Sequence, residues 1–242
     1  MVRSGDNVTV PSFDAVVDAY ERGRPAYPDG LYDALGDLRG VRIVEGGAGT
    51  GIATRALRHR GASVVALDIG EAMLGRNGGM RAVADAVRMP VRDACVDLVC
   101  FAQAWHWLDL DVASGEVARV LDAGGRWAAW WNHGRDDGTP WFEAVWDVLE
   151  SQTPGRRQHR DTDWGATLDR ALFVEPAFTS VEWTREQPVD LWCTDERSKS
   201  YIGMQPNADD VMAALESIVL DAFPDGVVRT RYETWLWQAA RR

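Results

Sequence analysis

The sequence predicts an open, doubly wound α/β sheet. Apolar, β-rich runs alternate with helix-period segments through the first half of the chain. The first run, Ile43-Val44-Glu45, breaks into Gly46-Gly47-Ala48-Gly49-Thr50-Gly51 and then into a helical pattern. Polar residues stand just past the ends of successive runs, at Glu45, Asp68, Asp85 and Gln103. Open α/β sheets hold their ligands outside the carboxyl ends of strands.

The elements follow in order. The apolar positions Phe13, Val16, Val17 and Tyr20 predict a helix after a loose arm over residues 1–12. Arg24-Pro25-Ala26-Tyr27-Pro28 interrupts regular structure. Leu31, Leu35 and Leu38 give a short helix into a first strand over 41–45. Past the glycine turn, Ile52, Ala53, Ala56 and Leu57 share a helical face, and Gly61 is a natural stop. Residues 62–67 form a buried second strand ending at Asp68, before a helix carrying Met73 and Leu74. A weak third strand is expected over 81–84, a fourth over 96–102 and a fifth over 126–131. Thr139-Pro140 starts a helix whose apolar face holds Trp141, Phe142, Val145, Trp146 and Leu149. Residues 151–163 read as a polar loop and 178–183 as a sixth strand. A helical insertion over 188–226 and a closing strand over 227–239 complete the chain.

Composition narrows the function classes. The 242 residues suit one large α/β domain with insertions, and 46% hydrophobic with 26% charged residues is ordinary for a soluble protein. No apolar run has the length of a membrane span, and the N-terminus lacks a secretory core. Cys95, Cys100 and Cys193 make neither a metal-ligand spacing nor an even disulfide set, which points to a reducing compartment, the cytosol. A net charge of −11 argues against a nucleic-acid partner. Twelve tryptophans point either to core packing or to an aromatic-lined pocket. A monomer or homodimer without membrane attachment is expected.

The glycine turn carries the chemistry. Glycine removes the Cβ that would hold a ligand away from the backbone, and the helix start adds free N–H groups. A dinucleotide fingerprint needs Gly-x-Gly-x-x-Gly. Counted from Gly47 and Gly49, the third glycine falls on Ile52; counted from Gly49 and Gly51, it falls on Thr54. No Gly-Lys-Ser/Thr follows, so a P-loop fails too. The remaining pattern, Glu45-x-Gly47-x-Gly49-x-Gly51, resembles the first motif of class I S-adenosylmethionine-dependent methyltransferases of the methyltransferase type 11-like kind. Gly46 departs from the aliphatic residue usual there. A tight turn with no ligand is the alternative.

Further stretches resemble the same family. Asp68-Ile69 with Met73-Leu74 is similar to its second motif, and Asp85-Ala86 with Met89-Pro90 to its acid-containing turn. Gln103-Ala104-Trp105-His106-Trp107 and Tyr20…Arg24-Pro25-Ala26-Tyr27-Pro28 resemble a subgroup that includes trans-aconitate methyltransferases. The resemblance implies a seven-stranded Rossmann-like sheet in the order 3-2-1-4-5-7-6 with the last-numbered strand antiparallel. It implies an N-terminal arm and helices over 1–40 covering the cofactor, a methyltransferase domain over 41–242, and a small helical cap at 188–226.

The implied cofactor is S-adenosylmethionine, with S-adenosylhomocysteine as product and no metal. Tyr20, Arg24, Tyr27, Glu45, Gly46, Gly47, Gly49, Gly51, Asp68, Ile69, Met73, Asp85, Ala86 and Gln103 would bind it. Glu45 would reach the amino group directly or through water, and Ile69 and Met73 would flank the adenine. Asp68, 23 residues after Glu45, is placed for the ribose hydroxyls, with a helix N-cap as the alternative role. Methyl transfer is an in-line displacement that asks the protein to align the acceptor, exclude water and, for some acceptors, remove a proton. His106 and His133 are the candidate bases, and a histidine here can equally orient the acceptor or simply pack. Trp105, Trp107, Trp131 and Tyr201 are the candidate acceptor contacts. A small-molecule acceptor is expected, and Arg24 with Arg156–Arg160 offers a positive end for an acidic one. A silent S-adenosylmethionine-binding interaction protein and a protein methyltransferase are the rival readings.

Overall fold

Seven strands form one sheet in the order β3-β2-β1-β4-β5-β7-β6. The computed structural model describes residues 17–242. The expected arm over 1–12 and the helical positions Phe13 and Val16 lie outside the described residues. The chain runs α1 (Val17–Gly23), α2 (Asp29–Leu35), β1 (Arg42–Gly46), α3 (Ile52–His59), β2 (Ser63–Asp68), α4 (Glu71–Gly75), β3 (Arg81–Val83) and β4 (Val96–Ala102). It continues through α5 (Leu110–Val120), β5 (Leu121–Gly134), α6 (Pro140–Gln152), α7 (Arg156–Arg160) and β6 (Ala177–Pro188). The last elements are α8 (Val189–Arg197), α9 (Ser200–Gly203), α10 (Ala208–Ala222) and β7 (Val227–Ala240). Strands β1 to β5 pair in parallel, and β7 runs antiparallel to both β5 and β6.

The central strands are apolar on both faces because helices cover both. On one face Ile43, Leu98, Cys100, Ala128 and Trp130 meet Leu31 and Leu35 of α2 and Ala53 and Leu57 of α3. On the other, Val44, Val99, Phe101, Trp127, Ala129 and Trp131 meet Ala113 and Val117 of α5. Residues one apart along β5 thus enter different cores, as the strand period of two requires. Each fully buried Leu or Phe contributes about 1.5–3 kcal/mol relative to exposure.

A third core lies beyond the carboxyl end of β5 and the amino end of β7. It joins Phe142, Val145, Trp146 and Leu149 of α6 to Trp192 of α8, Ile202 of α9 and Val211, Leu215 and Val219 of α10. The cap therefore includes α6 as well as the insertion read from the sequence.

The expected polar loop over 151–163 is instead largely helical: α6 runs to Gln152 and α7 follows. Contacts distant in sequence hold α7. The Arg156 guanidinium stacks 3.8 Å from the Tyr201 ring centroid, and Arg160 lies 5.0 Å from that of Trp146. Among the described residues, no helix is long and apolar enough to cross a membrane.

Candidate active site

Glu45, one residue before the end of β1, has no solvent exposure. Its Oε2 accepts from Thr54 Oγ1 at 2.5 Å, and Asn77 Nδ2 donates to the same hydroxyl at 2.9 Å. Its Oε1 is buried without a partner. Burial pushes the carboxyl up to about 7, against the hydrogen bond from Thr54 and the charge of Arg58. A buried acid with one bare oxygen fits a donor arriving from outside the chain. At Gly46 and Gly47 the turn packs too closely on its neighbours for a side chain. A Cβ on Gly46 would lie 2.4 Å from the Phe101 ring. On Gly47, at φ +65°, it would lie 2.4 Å from the Ala104 Cβ.

Asp68 closes the other side of the turn. Its Oδ2 accepts from the Gly49 N–H and its Oδ1 from the Gly70 N–H, both at 2.7 Å. These bonds hold the backbone of the turn against the end of β2. Gly51 is the N-cap of α3. Ile69 is half exposed and Met73 is buried, while Asp85 accepts from the Val87 N–H at 3.0 Å beside buried Ala86. Gln103 follows β4 with φ +57°, a left-handed backbone that costs a non-glycine residue roughly 1–3 kcal/mol. The Gln103 N–H donates to the Trp130 carbonyl at 2.9 Å, and its Nε2 donates to the Tyr27 hydroxyl at 3.4 Å. Tyr20 lies 4.9 Å beneath the Arg24 guanidinium. The ends of β1, β2 and β4 thus bring Glu45, the glycine turn, Asp68 and Gln103 to one crevice, with Tyr27 reaching it from the N-terminal segment.

Gln103, Arg24 and Pro25 also line a cavity of about 130 Å³ that runs under the cap. Its walls carry Asn132 and His133 from β5, Trp141, Phe142 and Trp146 from α6, and Arg156 and Arg160 from α7. Asp195, Glu196, Lys199, Tyr201, Thr230 and Tyr232 complete them. Asp195 is 1% exposed and sits 3.7 Å from both Arg24 and Arg185, tying the segment after α1 to α8 and β6. A Cβ on Gly23 would fall 2.6 Å from the Asp195 backbone, so α1 and α8 touch main chain to main chain. Lys199, the chain's single lysine, pairs with Glu196. Burial alone would push its ammonium down, but the Glu196 carboxylate carries it well above the usual lysine range. Burial and the nearby Arg135 and Arg160 push the His133 imidazole down to about 3.

The sequence-derived acceptor contacts divide. Tyr201 and His133 line the cavity. Trp105 and Trp131 are corrected to core residues. Trp105 has no exposure, packs on Phe101 and Trp127, and donates its Nε1–H to Thr167 Oγ1 at 3.0 Å. Trp131 is 5% exposed, stacks on Trp164 and donates its Nε1–H to His106 Nδ1 at 3.2 Å. Strand alternation turns Trp131 to the α5 face. The half-buried His106 and Trp107 sit ring to ring at 4.8 Å and do not line the cavity. Thr54, Asn77, Asp195 and Lys199 were not singled out by sequence. Lys199 left the clearest signal, as the one lysine among 26 basic residues.

Comparison with known proteins agrees with this architecture. A methyltransferase domain model matches residues 44–129. An uncharacterized methyltransferase of Mycobacterium tuberculosis is 39% identical over 184 residues, covering 72% of this chain and 70% of its own. An uncharacterized methyltransferase-like protein of Schizosaccharomyces pombe is 35% identical over 226 residues, 88% of each chain. A solved structure from Anaeromyxobacter dehalogenans, provisionally described as a type II methyltransferase, is 27% identical with a TM-score of 0.68. It covers 90% of this chain and 97% of its own. With the sheet order, the glycine turn and these relatives in agreement, the chain belongs to the methyltransferase-domain family of class I S-adenosylmethionine-dependent methyltransferases.

Proposed function

We propose that this enzyme methylates a small organic acceptor seated in the cap cavity. The observation that carries the reading is the shared wall: Gln103 and Arg24, assigned to the cofactor by their motifs, also line a cavity whose other walls belong to the cap. Glu45, the turn from Gly46 to Gly51, Asp68, Ile69, Met73, Asp85, Ala86 and Gln103 would hold the cofactor. Tyr20, Arg24 and Tyr27 would close over it. When bound, S-adenosylmethionine supplies a methyl group on a sulfonium whose departure is neutral. The chain's own part is to orient the acceptor and keep water out. His133 is held neutral, and its protonated form is disfavoured, which makes it a poor proton acceptor. His106 is outside the cavity wall. The transfer therefore rests on alignment, and an already ionised acceptor suits it.

Calorimetry tests the cofactor half of the reading: S-adenosylhomocysteine binds and NAD does not. Asp68→Ala weakens that binding at least about tenfold, since charge-assisted bonds are worth roughly 1.5–3 kcal/mol each. Unchanged affinity would reduce Asp68 to a prop for the turn. A product assay with labelled cofactor over an acceptor panel tests the other half and separates an enzyme from a silent binding protein. Val145→Phe, which fills the cavity, stops turnover while S-adenosylhomocysteine still binds.

A further inference from the structure

Asn77 follows α4 and is fully buried, as Glu45 and Thr54 are. A Cβ on Gly51 would stand 2.7 Å from Asn77 Cγ, so the Asn77 amide packs on the glycine turn. Its main chain is pinned. The Asn77 N–H donates to the Leu74 carbonyl at 3.0 Å, and Arg81 Nη1 donates to the Asn77 carbonyl at 2.7 Å.

From this point to Glu45 the hydrogen bonds all run one way. A guanidinium only donates, so Arg58 Nη1, 3.5 Å away, meets the amide oxygen Oδ1. That turns Asn77 Nδ2 to Thr54, where it donates to Oγ1 at 2.9 Å. The hydroxyl keeps its own proton to give, and its acceptor among the described residues is Glu45 Oε2 at 2.5 Å. Oε2 is thus engaged and Oε1 is the bare oxygen. Burial and, to a lesser degree, Asp68 of β2 raise the Glu45 carboxyl. The Thr54 bond, with Arg58 and Arg55 of α3, holds that rise to about 7. Tyr20, Tyr27, Tyr32 and Cys100 feel the charge of Glu45, and burial keeps each of them neutral.

We infer that Asn77 is a positioning residue for cofactor binding: through Thr54 it occupies one oxygen of Glu45 and leaves the other to accept the cofactor's amino group. This rests on the reading that Glu45 meets that group. A donor chain of fixed direction favours the ionised carboxyl, the form that attracts an ammonium. Asn77 and Thr54 therefore govern the amino end of the cofactor and not its nucleoside.

Calorimetry on the full chain, over about pH 6 to 8.5, tests this with two ligands. S-adenosylhomocysteine carries the amino group; methylthioadenosine has the nucleoside and sulfur without it. Thr54→Val removes the hydroxyl at nearly constant shape. Asn77→Asp puts an acceptor where the donor stood and draws the Thr54 proton away from Glu45. Each variant moves the midpoint of S-adenosylhomocysteine affinity up by about one pH unit, so that binding at pH 7 weakens about fivefold. Thr54→Ser keeps the hydroxyl and the wild-type midpoint. Methylthioadenosine binds all of them as it binds wild type, which shows the fold and the turn intact. Midpoints that stay in place in both variants, or methylthioadenosine weakened in step with S-adenosylhomocysteine, would overturn the positioning role and leave Glu45 at the amino group. Wild-type affinity independent of pH would remove Glu45 from the amino group, and the role of Asn77 with it.

Discussion

The glycine-turn crevice and the cap cavity meet at Gln103, yet they are made of different material. The crevice is mostly main chain: a turn with glycine at four of six positions, two N–H groups tied to Asp68, and one strand end bent into the left-handed region. Its parts lie close together in sequence, at the ends of neighbouring strands. The cavity is mostly side chain, drawn from Arg24 at one end of the chain to Tyr232 at the other. Its shape depends on ion pairs between elements that are far apart in sequence. A backbone-built site can keep one ligand while side chains around it change. A side-chain-built site can change ligand while the fold stays. That division places common chemistry in the crevice and acceptor choice in the cap.

Three measurements bear on this contrast, from the largest expected effect to the smallest. Asp195→Ala leaves Arg24 and Arg185 facing one another without their carboxylate. Breaking a buried ion cluster costs about 3–5 kcal/mol, read as a lowered denaturation midpoint. A loss below about 1 kcal/mol would equate the cluster with a surface ion pair and detach the cap from the argument. Gly47→Val forces a branched side chain into positive φ and into the Ala104 methyl. It should weaken S-adenosylhomocysteine binding at least about a hundredfold, or about 2.7 kcal/mol, while the cap cavity is untouched. Wild-type affinity would show that the turn relaxes at little cost.

The smallest effect concerns Glu45. Its native pKa of about 7 lies above the ordinary 4.5, so between those values the native state binds more protons than the unfolded chain. Stability contributed by this group is therefore present below pH 4.5, falls as pH rises to about 7, and is level above that. A ligand amino cation favours the ionised form, so S-adenosylhomocysteine affinity should rise about tenfold between pH 6 and 8. Glu45→Gln should flatten both profiles. A wild-type binding curve independent of pH would mean that no cation meets this carboxyl.

The two regions also differ in how far they could be read from sequence. The crevice was legible because a strand, a glycine turn and a helix are neighbours in the chain, and so are Asp68 and the end of β2. Thr54 and Asn77 escaped notice because their link to Glu45 is made only in three dimensions. Gln103 was found by position, but its positive φ has no signature in a glutamine. The cap resisted for a physical reason. Arg156 to Arg160 has no apolar stripe, so nothing local predicts a helix; Tyr201 and Trp146 supply the missing face. Trp105 and Trp131 show the opposite error. Standing near a strand end does not say which face a side chain takes, and both went into the α5 core.

Lys199 has a practical consequence. The chain carries 26 basic side chains, but only this one ends in a primary amine. An acylating reagent that finds a lysine on this protein has found the wall of the cap cavity. The Glu196 partner keeps that amine protonated and unreactive. The rate of its acylation is therefore a built-in gauge of how often the ion pair parts, readable by mass spectrometry without changing a residue.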